Sequence, residues 1–96
     1  MQQQIDVGRR GVRNGYFGNP FVVSKNQSRV AAVARFAVYA TTKFSDEDLA
    51  ELRDKDLFCP GCRGTGPCHA QVLAWLAVHP RAEWQRLIQR SNEVLG

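Results

Sequence analysis

Lys55-Asp56-Leu57-Phe58-Cys59-Pro60-Gly61-Cys62-Arg63-Gly64-Thr65-Gly66-Pro67-Cys68-His69-Ala70-Gln71-Val72-Leu73-Ala74-Trp75-Leu76-Ala77-Val78-His79 changes character twice. Asp56 to Cys59 is a short apolar run that reads as a buried strand. Pro60 to Pro67 holds two prolines and three glycines, which forbids regular structure. From about Cys68 to Val78 apolar residues return at helical spacing, with Val72, Leu73, Leu76 and Ala77 on the inner face. Strand, loop and helix in that order point to mixed α/β layering.

The rest of the chain extends the pattern in both directions. Pro80 suits the first turn of a last helix, whose apolar stripe is Trp84, Leu87, Ile88 and Leu95. Upstream, Ser45-Asp46-Glu47-Asp48 carries the capping residue and acids of a short helix that points Leu49 and Leu52 inward. Ser28 can cap a helix over about 29–42, with Val30, Val33, Phe36, Ala37 and Ala40 on one face. Further strands are expected near 5–7 and 16–23. Within the second, Gly18-Asn19-Pro20 reads as a turn, because proline fixes φ and pushes Asn19 out of the helical region. The expected fold is α/β (or α+β): a single domain over 1–96 with residues 1–4 frayed, and three or four short strands packed with three or four helices.

Bulk properties narrow the function classes. At 96 residues and 44% hydrophobic the chain is too apolar for disorder and small enough that its core is marginal. A metal or a subunit interface would help such a domain. The start is polar and no apolar run approaches membrane-spanning length, so a cytoplasmic protein with no membrane partner and reduced cysteines is expected. The formal charge is +4 and unevenly spread. Residues 1–35 hold six bases against one acid, whereas residues 43–56 hold three bases against six acids. The basic end, with Arg9, Arg10 and Arg13 among glycines and aromatics, suits an anionic partner.

The cysteine loop supports competing chemistries. Cys59-x-x-Cys62 has the gap that lets two thiolates meet one ion, and Cys68 and His69 complete a candidate metal set, for which zinc is the natural cation. Adjacent Cys68 and His69 diverge by about 100° on a helix, which makes a four-ligand site awkward. Thioredoxin-type redox chemistry needs a helix starting at the first cysteine, and Gly61, Gly64, Gly66 and Pro67 forbid one. The third chemistry is a ligand loop. Strand, glycine-rich loop and helix N-terminus make an anion site, with Gly64 and Gly66 admitting close approach and Arg63 adding charge. No Lys-Ser/Thr follows the glycines, so it is not a P-loop. Cys68 and His69 would then be the catalytic candidates, His69 as a proton acceptor. The plain alternative is buried thiols and turn glycines.

The Gly18-Asn19-Pro20-Phe21 turn, the Lys55–Cys59 strand, Cys62 and Pro67-Cys68-His69-Ala70-Gln71-Val72-Leu73 together resemble a phage and bacterial family known as domain of unknown function 4326. The resemblance covers about residues 5–77 and implies small proteins carried by phages or found near mobile DNA. It maps family positions onto Asn19, Pro20, Cys59, Cys62, Cys68 and His69. This chain spaces its first two cysteines two apart where the family usually has one between them, which counts against a tight metal pair.

Two functions follow as expectations. The first is a pocket for a nucleotide-like or other anionic small molecule, with the Asn19 turn facing Cys68-His69, and with Asn19, Arg13, Arg63, Gly64 and Gly66 as binding residues. The alternative is a zinc-stabilised module that binds a host protein or nucleic acid, with the basic N-terminal third and Trp84 as its surface; ranked below both is direct DNA or RNA binding through Arg9, Arg10, Arg13, Tyr16 and Phe17. No reaction is fixed by these residues.

Overall fold

The structure is a computed structural model that describes residues 3–21, 23–60 and 68–96. Two strands, β1 (Gln4–Asp6) and β2 (Asp56–Phe58), pair in parallel with Gln4 opposite Asp56, Ile5 opposite Leu57 and Asp6 opposite Phe58. The helices are a short turn α1 (Val12–Gly15), α2 (Arg29–Lys43), α3 (Asp46–Ala50), α4 (His69–Val78) and α5 (Trp84–Leu95), the last preceded by a 3₁₀ turn at Arg81–Glu83. The mixed α/β expectation holds, with fewer strands than the three or four expected.

The missing strand is the one expected over 16–23. Among the described residues of that stretch there is no strand, and the nearest pairing is an isolated Ser24–Gln27 bridge. Tyr16 instead packs its ring edge to face with both Phe17 and Phe44, and Phe17 meets Phe44 at a tilt. The Asn19 Oδ1 accepts the Phe21 N–H at 2.8 Å, a side-chain turn that stops the backbone from extending. At the N-terminus the strand begins at Gln4, and the Gln3 carbonyl accepts the Asp56 N–H at 2.9 Å, so Gln3 and Gln4 are tied; residues 1–2 of the expected frayed end lie outside the described residues.

Helix starts follow their sequence signals. Ser28 Oγ accepts the Ala31 N–H at 3.1 Å, and Ser45 and Asp48 form a reciprocal capping box. Helix α2 is the central element. Ala32, Phe36, Ala37 and Ala40 are buried along one side, and Ala34 is buried as well, because α2 is packed by both α4 and α5. Alanines at those contacts let the helices approach closely. Val30, expected inside, is about half exposed in the first turn. Leu49, Leu52, Leu73, Leu76 and Trp84 are buried as their periodicity predicts, whereas Leu95 is exposed.

The segment from Gly8 to Gly18 folds back on itself. Arg13, Asn14 and Gly15 all have positive φ, at 55°, 57° and 78°. A Cβ at Gly15 would collide with the Arg9 carbonyl, and one at Gly11 with the Asp6 carbonyl, so both positions need glycine. Left-handed Arg13 is held from outside by pairs to Asp48 at 3.0 Å and Glu51 at 3.3 Å. Asp48 also accepts the Tyr16 hydroxyl at 2.8 Å and the Ser45 N–H at 3.1 Å. Partial burial pushes the Asp48 carboxyl up, but the bonds from Ser45, Tyr16 and Arg13 outweigh it and hold the group below the ordinary aspartate range. Asp48→Ala should therefore cost about 1–3 kcal/mol, since it removes a cap and a tyrosine partner together. Urea denaturation at neutral pH measures it, and a loss within ±0.5 kcal/mol would show that the loop is held by something else.

Candidate functional site

Parallel pairing puts the carboxyl ends of β1 and β2 side by side. Val7 and Gly8 leave one strand beside Cys59 and Pro60 leaving the other, and the start of α4 closes over them. This is the end of a parallel sheet at which ligands commonly bind. The Val7 N–H donates to the Phe58 carbonyl at 2.9 Å, and the Val7 carbonyl meets the start of α4.

His69 meets that carbonyl. Its Nε2 lies 2.7 Å from Val7 O, and a carbonyl can only accept, so Nε2 carries the proton. Nδ1 is then the atom with a free lone pair, and it faces Cys68 Sγ at 3.9 Å. The ring is 3% exposed and packs edge-on against Phe36 with centroids 5.1 Å apart. Burial lowers the His69 pKa. The Val7 carbonyl and Asp6 pull it the other way, and Arg9 adds to the lowering. The side chain is therefore a neutral imidazole of fixed tautomer.

Cys68 is the N-cap of α4. Its Sγ accepts the Ala70 N–H at 3.4 Å, while Gln71 reaches back to the Cys68 N–H at 3.4 Å. A cysteine thus takes the role that serine has at the other two caps. Cys59 approaches from the end of β2, and the ligand atoms of Cys59, Cys68 and His69 all lie within 4.8 Å of one another. These three side chains could hold a metal ion. The adjacency of Cys68 and His69 is no obstacle, because Cys68 has extended backbone (φ −142°, ψ 144°) and only His69 is helical. Cys62 lies outside the described residues.

Beside this cluster is a cavity of about 490 Å³. Arg9, Arg10, Arg29 and Asp6 supply its charges, Phe21, Val23, Ala32 and Val33 its apolar wall, and Cys59 and His69 also line it. That volume and mixture suit a small organic ligand. A second cavity of about 480 Å³ lies under Arg81 and Trp84, but its polar groups are already committed. Arg81 binds Asp46 and the Phe44 carbonyl, Arg53 binds the Ala77 carbonyl, and His79 binds the Trp75 carbonyl. They close helix ends rather than wait for a ligand.

Of the expected binding residues, Asn19 lines the first cavity but its amide is engaged. Oδ1 holds Phe21, Nδ2 donates to the Ala32 carbonyl at 3.3 Å, and the Asn19 carbonyl accepts from Arg9 Nε at 3.1 Å. Asn19 therefore clamps the Arg9 loop to α2 as well as forming wall. Arg13 is elsewhere, in its pairs with Asp48 and Glu51 and stacked over Tyr16. Phe17 is buried and the Tyr16 hydroxyl donates to Asp48, so of the expected basic-aromatic group Arg9, Arg10 and Arg13 stay exposed. Arg63, Gly64 and Gly66 lie outside the described residues. Arg29, Phe21 and Asp6 were not among the expected binding residues; Phe21 entered only as part of the Gly18–Phe21 turn, and Arg29 only as one base of the basic first third.

A family model described as Domain of unknown function (DUF4326) matches residues 1–79. The chain belongs to this family. No curated protein and no solved structure matches the chain. The DUF4326 span runs from β1 to the end of α4, so it contains every residue lining the first cavity and the whole Cys59, Cys68 and His69 cluster. Helix α5 lies beyond it and covers α2. No described helix is long and apolar enough to cross a membrane.

Proposed function

We propose that the cavity between the Arg9 loop, α2 and the start of α4 binds a nucleotide-like anion, a planar ring system joined to a phosphate. The observation that carries this is the cavity lining: Arg9, Arg10 and Arg29 face a single carboxylate, Asp6, beside an apolar wall that includes Phe21. Arginine forks match phosphate oxygens, and the apolar wall suits a base. The Arg9–Asn19 bond uses one of five guanidinium donors, which leaves the fork for a ligand.

Backbone amide shifts on addition of AMP, adenosine and inorganic phosphate test the reading. AMP should perturb amides near Arg9, Phe21, Arg29 and His69. Arg29→Ala should weaken AMP binding by about tenfold to a hundredfold, the worth of a charge-assisted bond. Arg13→Ala should leave affinity unchanged. No perturbation near His69 rejects the pocket.

The metal-capable cluster favours a second reading, a zinc-stabilised module. Cys59, Cys68 and His69 would hold the ion, and the Val7 carbonyl bound to Nε2–H orients the imidazole as a supporting contact does in zinc sites. A host protein or nucleic acid would be its partner. Elemental analysis of protein purified without added metal should find equimolar zinc; substoichiometric zinc, with folding indifferent to chelator, rejects it.

A further inference from the structure

We infer that the Cys59, Cys68 and His69 cluster and the arginine-lined cavity are one site: a divalent metal whose fourth position opens into the cavity and takes an anionic oxygen of the ligand. This rests on the pocket reading and deepens it by naming what the ligand must offer, a phosphate oxygen.

The donor spacing fits an ion. Tetrahedral zinc with two thiolates and one imidazole sets donor–donor edges of about 3.6–3.8 Å. Here Cys68 Sγ and His69 Nδ1 are 3.9 Å apart and no pair exceeds 4.8 Å, so side-chain rotations of under about 1 Å close the set. Two of the donors come pre-oriented. Val7 O fixes the ring so that Nδ1 is the donor atom, and the Ala70 N–H at 3.4 Å supports the Cys68 sulfur.

The placement of the donors gives the open side. Cys59 and His69 line the cavity, and Cys68, the buried helix cap, does not. An ion among the three is backed by Cys68 and α4 and faces the cavity between the other two. Charge then selects the fourth ligand. A divalent ion with two thiolates and a neutral imidazole is net neutral, whereas Arg9, Arg10 and Arg29 against Asp6 leave the cavity at a formal +2. A monoanionic or dianionic phosphate group satisfies both the ion and the arginines.

Cobalt(II) serves as the visible probe, loaded into reduced protein after chelation. One equivalent should give a tetrahedral thiolate spectrum. It should survive in Cys62→Ser and vanish in Cys59→Ser and Cys68→Ser, with amide dispersion reporting that each variant is folded. AMP and inorganic phosphate should shift the cobalt bands, and AMP affinity should fall about tenfold in metal-free wild type, which needs no variant. Loss of cobalt in Cys62→Ser, failure to bind cobalt, or cobalt bands that ignore AMP while the cavity amides respond would each overturn the open site and leave the pocket reading standing. Cavity amides that ignore AMP with and without metal would fail the pocket reading itself.

Discussion

Phe36→Ala is expected to lower stability by about 3–5 kcal/mol, the cost of an unfilled aromatic site in a core. Phe36 is fully buried in the middle of α2, at 0% exposure. Its ring meets Tyr39 at 6.0 Å, Phe44 at 6.2 Å and His69 at 5.1 Å between centroids. The neighbours come from α2, its C-cap and the start of α4, so no single element can collapse into the space. For a domain of this size the melting temperature should drop by roughly 15–30 °C. Phe36→Leu, which leaves a smaller cavity, should cost less than half as much. Thermal and urea denaturation of both variants decide the matter. An alanine cost under about 1 kcal/mol would mean that the helices repack and that His69 is not held by this ring.

Helices α2, α3 and α4 were legible because each carries its own local signals. Ser28, Ser45 and Cys68 sit where caps belong, and the apolar spacing after each gives the inner face. The extended reading of 16–23 failed for a tertiary reason. Tyr16 and Phe17 have strand-like side chains, but what they bury is a ring cluster with Phe44, and among the described residues the sheet is made of β1 and β2 alone. Local propensity says nothing about whether a partner strand exists.

The site was legible in part. The Cys68-His69 helix start and the Asn19 turn do meet across one cavity wall, because parallel pairing of β1 and β2 brings residues some fifty positions apart to the same end. The Val7 carbonyl, which fixes the His69 tautomer, was invisible: a backbone oxygen leaves no mark on sequence. Arg29 entered the cavity for a similar reason, since only the docking of α2 shows which way its first turn faces.

Metal-free wild-type protein is expected to lose stability as pH falls below about 6.5, and His69→Leu is expected to flatten that loss. The folded-state His69 pKa is lowered from its ordinary 6.5, mainly by burial. Between the folded value and 6.5 the unfolded chain binds more protons than the folded one, so stability rises with pH there. The contribution is complete above 6.5 and drains away as pH falls through the window beneath it. The groups facing the ring set its size. Arg9 opposes protonation, Asp6 and the Val7 carbonyl favour it, and Cys59 and Cys68 stand beside Nδ1. Asp48 cannot mimic the effect, because its lowered pKa confines its contribution to the range below about 3.8. His69→Leu abolishes the titration but orphans the buried Val7 carbonyl, so its stability at pH 7.5 should sit about 1–3 kcal/mol lower. The two curves should then converge toward pH 5, with His79→Gln keeping the wild-type slope as the control. Urea midpoints measured from pH 7.5 to 5.0 in the presence of chelator separate the outcomes. Parallel curves for wild type and His69→Leu would show that His69 takes up its proton without unfolding, and so that the ring is not locked between Val7 and Phe36.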